Sequence, residues 1–321
     1  MLPMKIFVVT GVIMLMTSVA FAQTPDPLPP SDHVETNLAT PTGHDVSAGL
    51  ASYTYSEPGA HDISIHAARF VWDYTGTLSV STQRRWFAQA QAQGTLGNVT
   101  YDGWCSPFVF VPESTSPNGY ALDVGDPSPC SESGDKDWYL EARGLAGKDL
   151  IGQQWAWSPY AGLGLRHLSN GTTGTPGYRT DNYLYLPLGM TARSNVASAG
   201  ALSLNLEVDV LLHGSQKTRD SALGGGFVPA TPTAPAGTVD GFTDIAFSQS
   251  KGWALRASAK YPVTRRLALE PYYVRWDLGA SPVNYETATF TVNNITAQEQ
   301  LGAVEPHNVT NEFGVRLGFH F

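Results

Sequence analysis

The sequence predicts an all-β fold, a closed antiparallel transmembrane β-barrel of about ten strands with long external loops, and three observations carry that expectation. The last nine residues alternate, with Phe313, Val315, Leu317, Phe319 and Phe321 on one face and Gly314, Arg316, Gly318 and His320 on the other. That period of two is what a strand shows when one face meets lipid and the other a polar lumen. The composition agrees: 32 glycines, 14 tyrosines, 13 phenylalanines and 8 tryptophans stand beside only 15% charged residues. Beyond the amino-terminal leader no run approaches the ~20 apolar residues that a membrane helix requires. Finally, the strand candidates number ten, and an even count is what a single-chain bacterial barrel needs.

The elements follow in order. Met1 to Ala22 has a basic start at Lys5, an apolar run from Ile6 to Met16 and the small-residue site Ala20-Phe21-Ala22, which reads as a cleavable secretory signal. Residues 23–43 carry Pro25, Pro27, Pro29, Pro30 and Pro41 among polar residues, the composition of a mobile or extended periplasmic segment. The barrel then occupies 44–321. Its strand candidates are 45–56, 62–79, 84–102, 136–150, 157–169, 179–192, 199–213, 249–262, 265–279 and 309–321. Connections at 80–83, 151–156, 193–198 and 263–264 are tight and mark the periplasmic side. Those at 103–135, 214–248 and 280–308 are long and mark the outside, which places both termini in the periplasm. Strands longer than the ~9–11 residues that cross a bilayer should continue beyond the outer leaflet.

The strand from Leu202 sets inside against outside: Leu202, Leu204, Leu206, Val208, Val210 and Leu212 alternate with Ser203, Asn205, Glu207, Asp209 and His213. By the same reading Glu141, Arg143, Arg166, Asp181, Arg256, Lys260, Arg275, Asp277, Glu312 and Arg316 point into the lumen, opposite outward residues that include Leu255 and Val274. Acids and bases nearly balance there, so they should pair rather than line a selective channel. Ten strands are also too few for a broad aqueous pore. Pro187 and Pro271 interrupt strands and call for bulges. Glu270 would face lipid if its strand alternates from an outward Val274.

Cys105 and Cys130 share the second long loop, and an even count in an exported chain reads as one disulfide. Loop 214–248, with Gly224, Gly225 and Gly226 and then Pro229, Pro232 and Pro235, lacks hydrophobic patterning and reads as a mobile surface loop. The Gly triplet lacks the Lys-Ser/Thr end of a phosphate loop. A net charge of −9 offers no basic face to nucleic acid. The scattered histidines have no metal-ligand spacing, and nothing calls for a cofactor.

Four resemblances bear on function. The terminal aromatic strand, with Phe319 and Phe321, resembles the closing strand that bacterial outer-membrane barrels present to their assembly machinery. Segments such as Ser158-Pro-Tyr-Ala-Gly-Leu-Gly-Leu-Arg-His and Tyr183-Leu-Tyr-Leu-Pro-Leu-Gly look like uncharacterised proteobacterial outer-membrane barrels. That likeness implies fold and location. His167-Leu-Ser-Asn resembles the motif of outer-membrane lipid A deacylases, which implies a Ser169–His167 pair facing outer-leaflet lipopolysaccharide, with Asp181 as the matching carboxylate. The omptin proteases share strand number and length, but their paired aspartates and Asp–His pair have no counterpart here. The leading expectation is a structural or surface-interaction protein acting through its loops on an unidentified external ligand. A lipid A-directed esterase is the alternative, and a narrow gated channel the third.

Overall fold

The computed structural model describes residues 38–59, 63–81, 85–171, 178–197, 200–222 and 225–321. The signal segment and residues 23–37 lie outside these. Ten long strands close one barrel: β1 (Gly43–Ser56), β2 (Ser64–Ser81), β3 (Trp86–Cys105), β4 (Ser128–Lys148), β5 (Trp155–Asn170), β6 (Arg179–Ala197), β7 (Gly200–Thr218), β8 (Gly252–Pro262), β9 (Leu267–Leu278) and β10 (Asn308–His320). Each pairs antiparallel with its neighbours in sequence, and β10 closes on β1 from Asp45↔His320 to Ser56↔Val309. Closure is stitched at the carboxyl end, where the His44 and Phe321 backbones exchange two hydrogen bonds of 2.9 Å. Closure gives every strand a partner on both sides, as the hydrocarbon demands of backbone polar groups.

The outer face explains why this chain closes. Leu50, Leu78, Leu96, Leu140, Leu163, Leu165, Leu206, Val315 and Leu317 stand exposed around the wall, a belt that only lipid can cover. Aromatic side chains rim it, with Trp86, Trp157, Tyr261 and Phe319 toward the termini and Phe70, Trp138, Trp253 and Phe313 toward the loops. The result is an outer-membrane-type barrel.

The strand β9 alternates in the opposite phase to the sequence reading. Tyr272, Val274, Trp276 and Leu278 are buried inside, whereas Arg275 and Asp277 lie on the outer face, 3.4 Å from each other, and Asp277 also contacts His307 at 2.9 Å. Arg275 and Asp277 therefore leave the lumen network. Glu270 points inward to Arg316 at 3.1 Å without any bulge. Pro271 sits opposite Val315 in an unbroken register, and the facing ladder to β8 resumes with its register unchanged on the far side of the proline. Pro187 likewise shifts nothing between β5 and β6. The nearby irregularity falls in the partner strand, between Leu211 and His213 of β7.

The long loops are not mobile coils. Hairpin Phe108–Pro112/Tyr120–Val124 packs on a four-stranded sheet of Gly226–Val228, Gly237–Phe242, Asn284–Val292 and Ile295–Ala303. Phe110, Leu122, Val228, Ala234, Val239, Phe242, Ala288, Phe290, Val292 and Ala297 form a core separate from that of the barrel. Loop 214–248, read as unpatterned, supplies four of those residues. Its end, Ile245–Gln249, pairs with β7 and buries Ile245 and Phe247. The disulfide Cys105–Cys130 closes the neck beneath the hairpin, where Gly125 N–H donates to the Pro107 carbonyl at 2.8 Å. In the chain-entropy picture a loop of this size is worth ~3 kcal/mol.

Candidate functional site

Three places can act: the lumen, the outer rim at His167, and the loop cap. In the lumen the arginines are wedged between carboxylates or laid over aromatic rings. Arg256 donates to Asp209 at 2.6 Å and to Glu141 at 2.7 Å, and lies 3.4 Å from Glu207. Arg143 bridges Glu207 and Gln91. Arg69, with no side-chain exposure, pairs with Asp137 at 2.6 Å and rests 3.3 Å above the Tyr53 ring. Arg166 lies over Tyr139 at 4.2 Å and Trp276 at 5.2 Å. Arg316 stacks on Tyr272, whose hydroxyl donates to Glu312 at 2.8 Å. Opposite charges and ring faces thus meet across the barrel, and the stack fills its middle.

Toward the termini this plug floors a polar cavity of about 490 Å³, lined among others by Gln89, Gln91, Thr77, Asn205 and Lys260. Residues just ahead of β1 reach across its mouth. Thr40 donates from its backbone N–H and its hydroxyl to Asp149, at 2.8 and 2.6 Å. Asp149 belongs to the β4–β5 turn on the far side of the barrel, where Ser158 also donates to it at 2.6 Å. Leu38 is buried beside this anchor.

At the rim, His167 and Ser169 share the outer face, as their parity requires, but each is engaged elsewhere. His167 Nδ1 lies 2.8 Å from Asn182 Oδ1, and its ring packs 5.3 Å from Trp138. Ser169, only 2% exposed, donates its hydroxyl to Tyr178 at 3.2 Å. Asp181 is buried on the inner face, opposite Leu168 in register. The three are not brought together as nucleophile, base and orienting carboxylate. Among the described residues no group of three or more His, Cys, Asp or Glu side chains is placed to hold a metal ion.

The cap holds an acidic contact of its own. Glu286 faces Asp220 in the short helical turn Asp220–Ala222, and burial together with the Asp220 charge pushes its carboxyl from 4.5 up to about 7. Nearby Asp244 is held down at about 2 by the Ser221 hydroxyl and Lys217. A carboxyl whose pKa is higher folded than unfolded binds its proton more tightly in the fold. Cap stability should therefore fall as pH rises from about 4.5 through about 7, and level off above that. Hydrogen exchange of the cap amides at pH 5 and pH 8 measures this, and Glu286→Gln should flatten the slope. An identical slope in the variant would remove Glu286 as its source.

No protein-family model matches this chain, and no curated protein matches it. Among solved structures it is similar to the outer-membrane protease OmpT of Escherichia coli, at 10% identity over 88% of this chain and 98% of that one, with a TM-score of 0.45. An outer-membrane channel from Pseudomonas putida F1 aligns at 13% identity over 92% and 100% of the two chains, with a TM-score of 0.37. The translocator domain of the autotransporter NalP from Neisseria meningitidis aligns at 11% identity over 90% and 92%, with a TM-score of 0.31. A protease, a channel and a translocator share this likeness, so it goes no further than barrel architecture.

Proposed function

We propose that this protein is an outer-membrane scaffold that displays a folded cap at the cell surface and acts there as an interaction module. The observation that carries the reading is the cap's private core, to which hairpin 108–124, segment 226–242 and hairpin 284–303 all contribute. Loops that serve only as connections have no need of a second hydrophobic core, whereas a binding surface needs fixed geometry. The loop end lies outside and both termini in the periplasm. The tight turns on the terminal side and the amino-terminal signal both support that orientation. Phe319 and Phe321 serve as the signal to the barrel-assembly machinery, and lipopolysaccharide surrounds the belt at the loop end.

The plug argues against a diffusion channel, and the separation of Ser169, His167 and Asp181 argues against a deacylase. Lipid A from cells expressing wild type and Ser169→Ala at matched levels should be identical by mass spectrometry. Loss of an acyl chain with wild type alone would restore the esterase reading. The cap reading is tested on intact cells by antibodies raised against the hairpin 108–124, combined with planar-bilayer recording of the purified protein. Surface staining without current steps supports it. Staining that requires permeabilised cells, or steady conductance, would overturn it.

A further inference from the structure

In the cap sheet, Ile295–Ala303 is the last strand and, among the described residues, pairs only with Asn284–Val292. The two-residue connection Asn293-Asn294, with φ of 54° and 64°, is the left-handed pair of a tight hairpin turn. Val292↔Ile295 is then the hydrogen-bonded pair that flanks it. Alternation places the backbone N–H and C=O groups of Ile295, Ala297, Glu299 and Leu301 toward the partner strand. Those of Thr296, Gln298, Gln300 and Gly302 point away from the sheet. All four of these residues are exposed.

Sheets normally guard such an edge with proline, lysine, a bulge or shortness. Two other open edges show such guards. Residues 128–135 of β4 carry Pro129, Glu132, Asp135 and a register shift at Gly134, whose φ is 97°. Gly226–Val228 is three residues long. The nine residues of Ile295–Ala303 contain no proline, lysine or arginine. Their single charge, Glu299, accepts the Leu122 N–H at 2.8 Å and is turned onto the hairpin.

We infer that this edge pairs with the same edge of a second copy of the chain. The strand is complementary to itself in one antiparallel register. Centring on Gln298 sets Gln298 against Gln298 and Thr296 against Gln300 as hydrogen-bonded pairs, so the outward backbone groups of both copies meet. On the face toward the hairpin, half-exposed Ile295 then meets Leu301 twice, and Glu299 meets Ala297 rather than its own copy. The two four-stranded sheets become one of eight, with the isologous contact that two-fold symmetry demands. This dimer rests on the reading of the cap as an interaction module and names its partner.

The test uses the full-length protein purified in detergent micelles. Sedimentation should show a dimer, and Gln300→Lys, which guards the edge, should weaken it by about tenfold or more. Gln298→Cys should cross-link to its own copy under mild oxidation, because facing hydrogen-bonded residues have Cα atoms ~5.5 Å apart, within disulfide reach. Thr289→Cys, one strand further in on the same face, should not. A monomer, or a dimer indifferent to both edge substitutions, overturns the inference. So does a monomer whose amides at 296, 298 and 300 exchange slowly, since another segment of the chain would then cover the edge. Any of these results would leave surface display of the cap standing, because antibody staining of intact cells reads it independently.

Discussion

Arg256→Ala is expected to lower barrel stability by about 3–5 kcal/mol, the range for removing one partner of a buried ion pair. The guanidinium holds Asp209 and Glu141 by direct hydrogen bonds and stands close to Glu207, and all three carboxylates are essentially inaccessible. Truncation would leave them facing one another in a narrow lumen. The loss reflects unpaired charge rather than the intrinsic worth of the pairs, so replacing Arg256, Asp209 and Glu141 together by apolar residues of similar volume should recover most of it. Urea unfolding followed by tryptophan fluorescence and by migration of unboiled samples on denaturing gels measures both. A single variant within about 1 kcal/mol of wild type would mean that the network is not structural. The same substitution also bears on function: with the plug loosened, bilayer recordings of Arg256→Ala should show current where wild type shows none.

The strands that read correctly from sequence are those that stay within one solvent pair from end to end. Along Phe313–Phe321 and through Leu204–Val210 the outside is lipid and the inside a polar lumen, so hydrophobicity and orientation share a period. Strand β9 crosses a boundary. Leu267 and Leu269 face outward into the belt, and Glu270 faces inward to Arg316. Farther along, beyond the aromatic rim, the outside becomes water and the inside a packed core, so Arg275 and Asp277 turn outward while Val274, Trp276 and Leu278 turn inward. The hydrophobic parity inverts although the backbone alternates without a break, and a phase taken from Val274 misplaces every residue of the strand. Pro271 needs no bulge, because the ladder to β8 lapses beside it and resumes in the same register.

The cap is partly legible in the sequence. Ala288, Phe290 and Val292 alternate with Thr287, Thr289 and Thr291, and the Asn293-Asn294 turn leads to a second run, Ile295 to Leu301. This is a hairpin signal of ordinary strength. Its place inside a long external connection masks it. The contributions of Val228, Ala234 and Val239 carry no such pattern, because they are spaced irregularly in a stretch rich in Gly, Pro and Thr and acquire a core only from the two hairpins. At the rim the reverse holds. The motif at His167 was legible as spacing, but whether its members meet depends on Asn182, Tyr178 and the inward face of Asp181, which no local pattern encodes.

If the cap is a unit with its own core, damage to that core should stay within it. Phe290 is 1% exposed and its ring centroid lies 5.5 Å from that of Phe110, across the contact between sheet and hairpin. Phe290→Ala should cost about 3–5 kcal/mol, the usual range for emptying a buried aromatic site. At 1.4 kcal/mol per tenfold, amides of 237–242 and 284–303 should exchange about a hundredfold faster or more, provided they open with the cap as a whole. Barrel amides in β1 and β10, and the heat-dependent gel shift, should not change. The lipid belt and the plug hold the barrel without help from the cap, and the disulfide at the neck limits how far disorder in hairpin 108–124 can spread into β3 and β4. Phe227→Ala is the matched control: this ring is 74% exposed and supports nothing inside the cap. Should barrel and cap amides accelerate together in Phe290→Ala, the two cores would be a single cooperative unit. The loops would then be part of what holds the barrel rather than a module mounted on it.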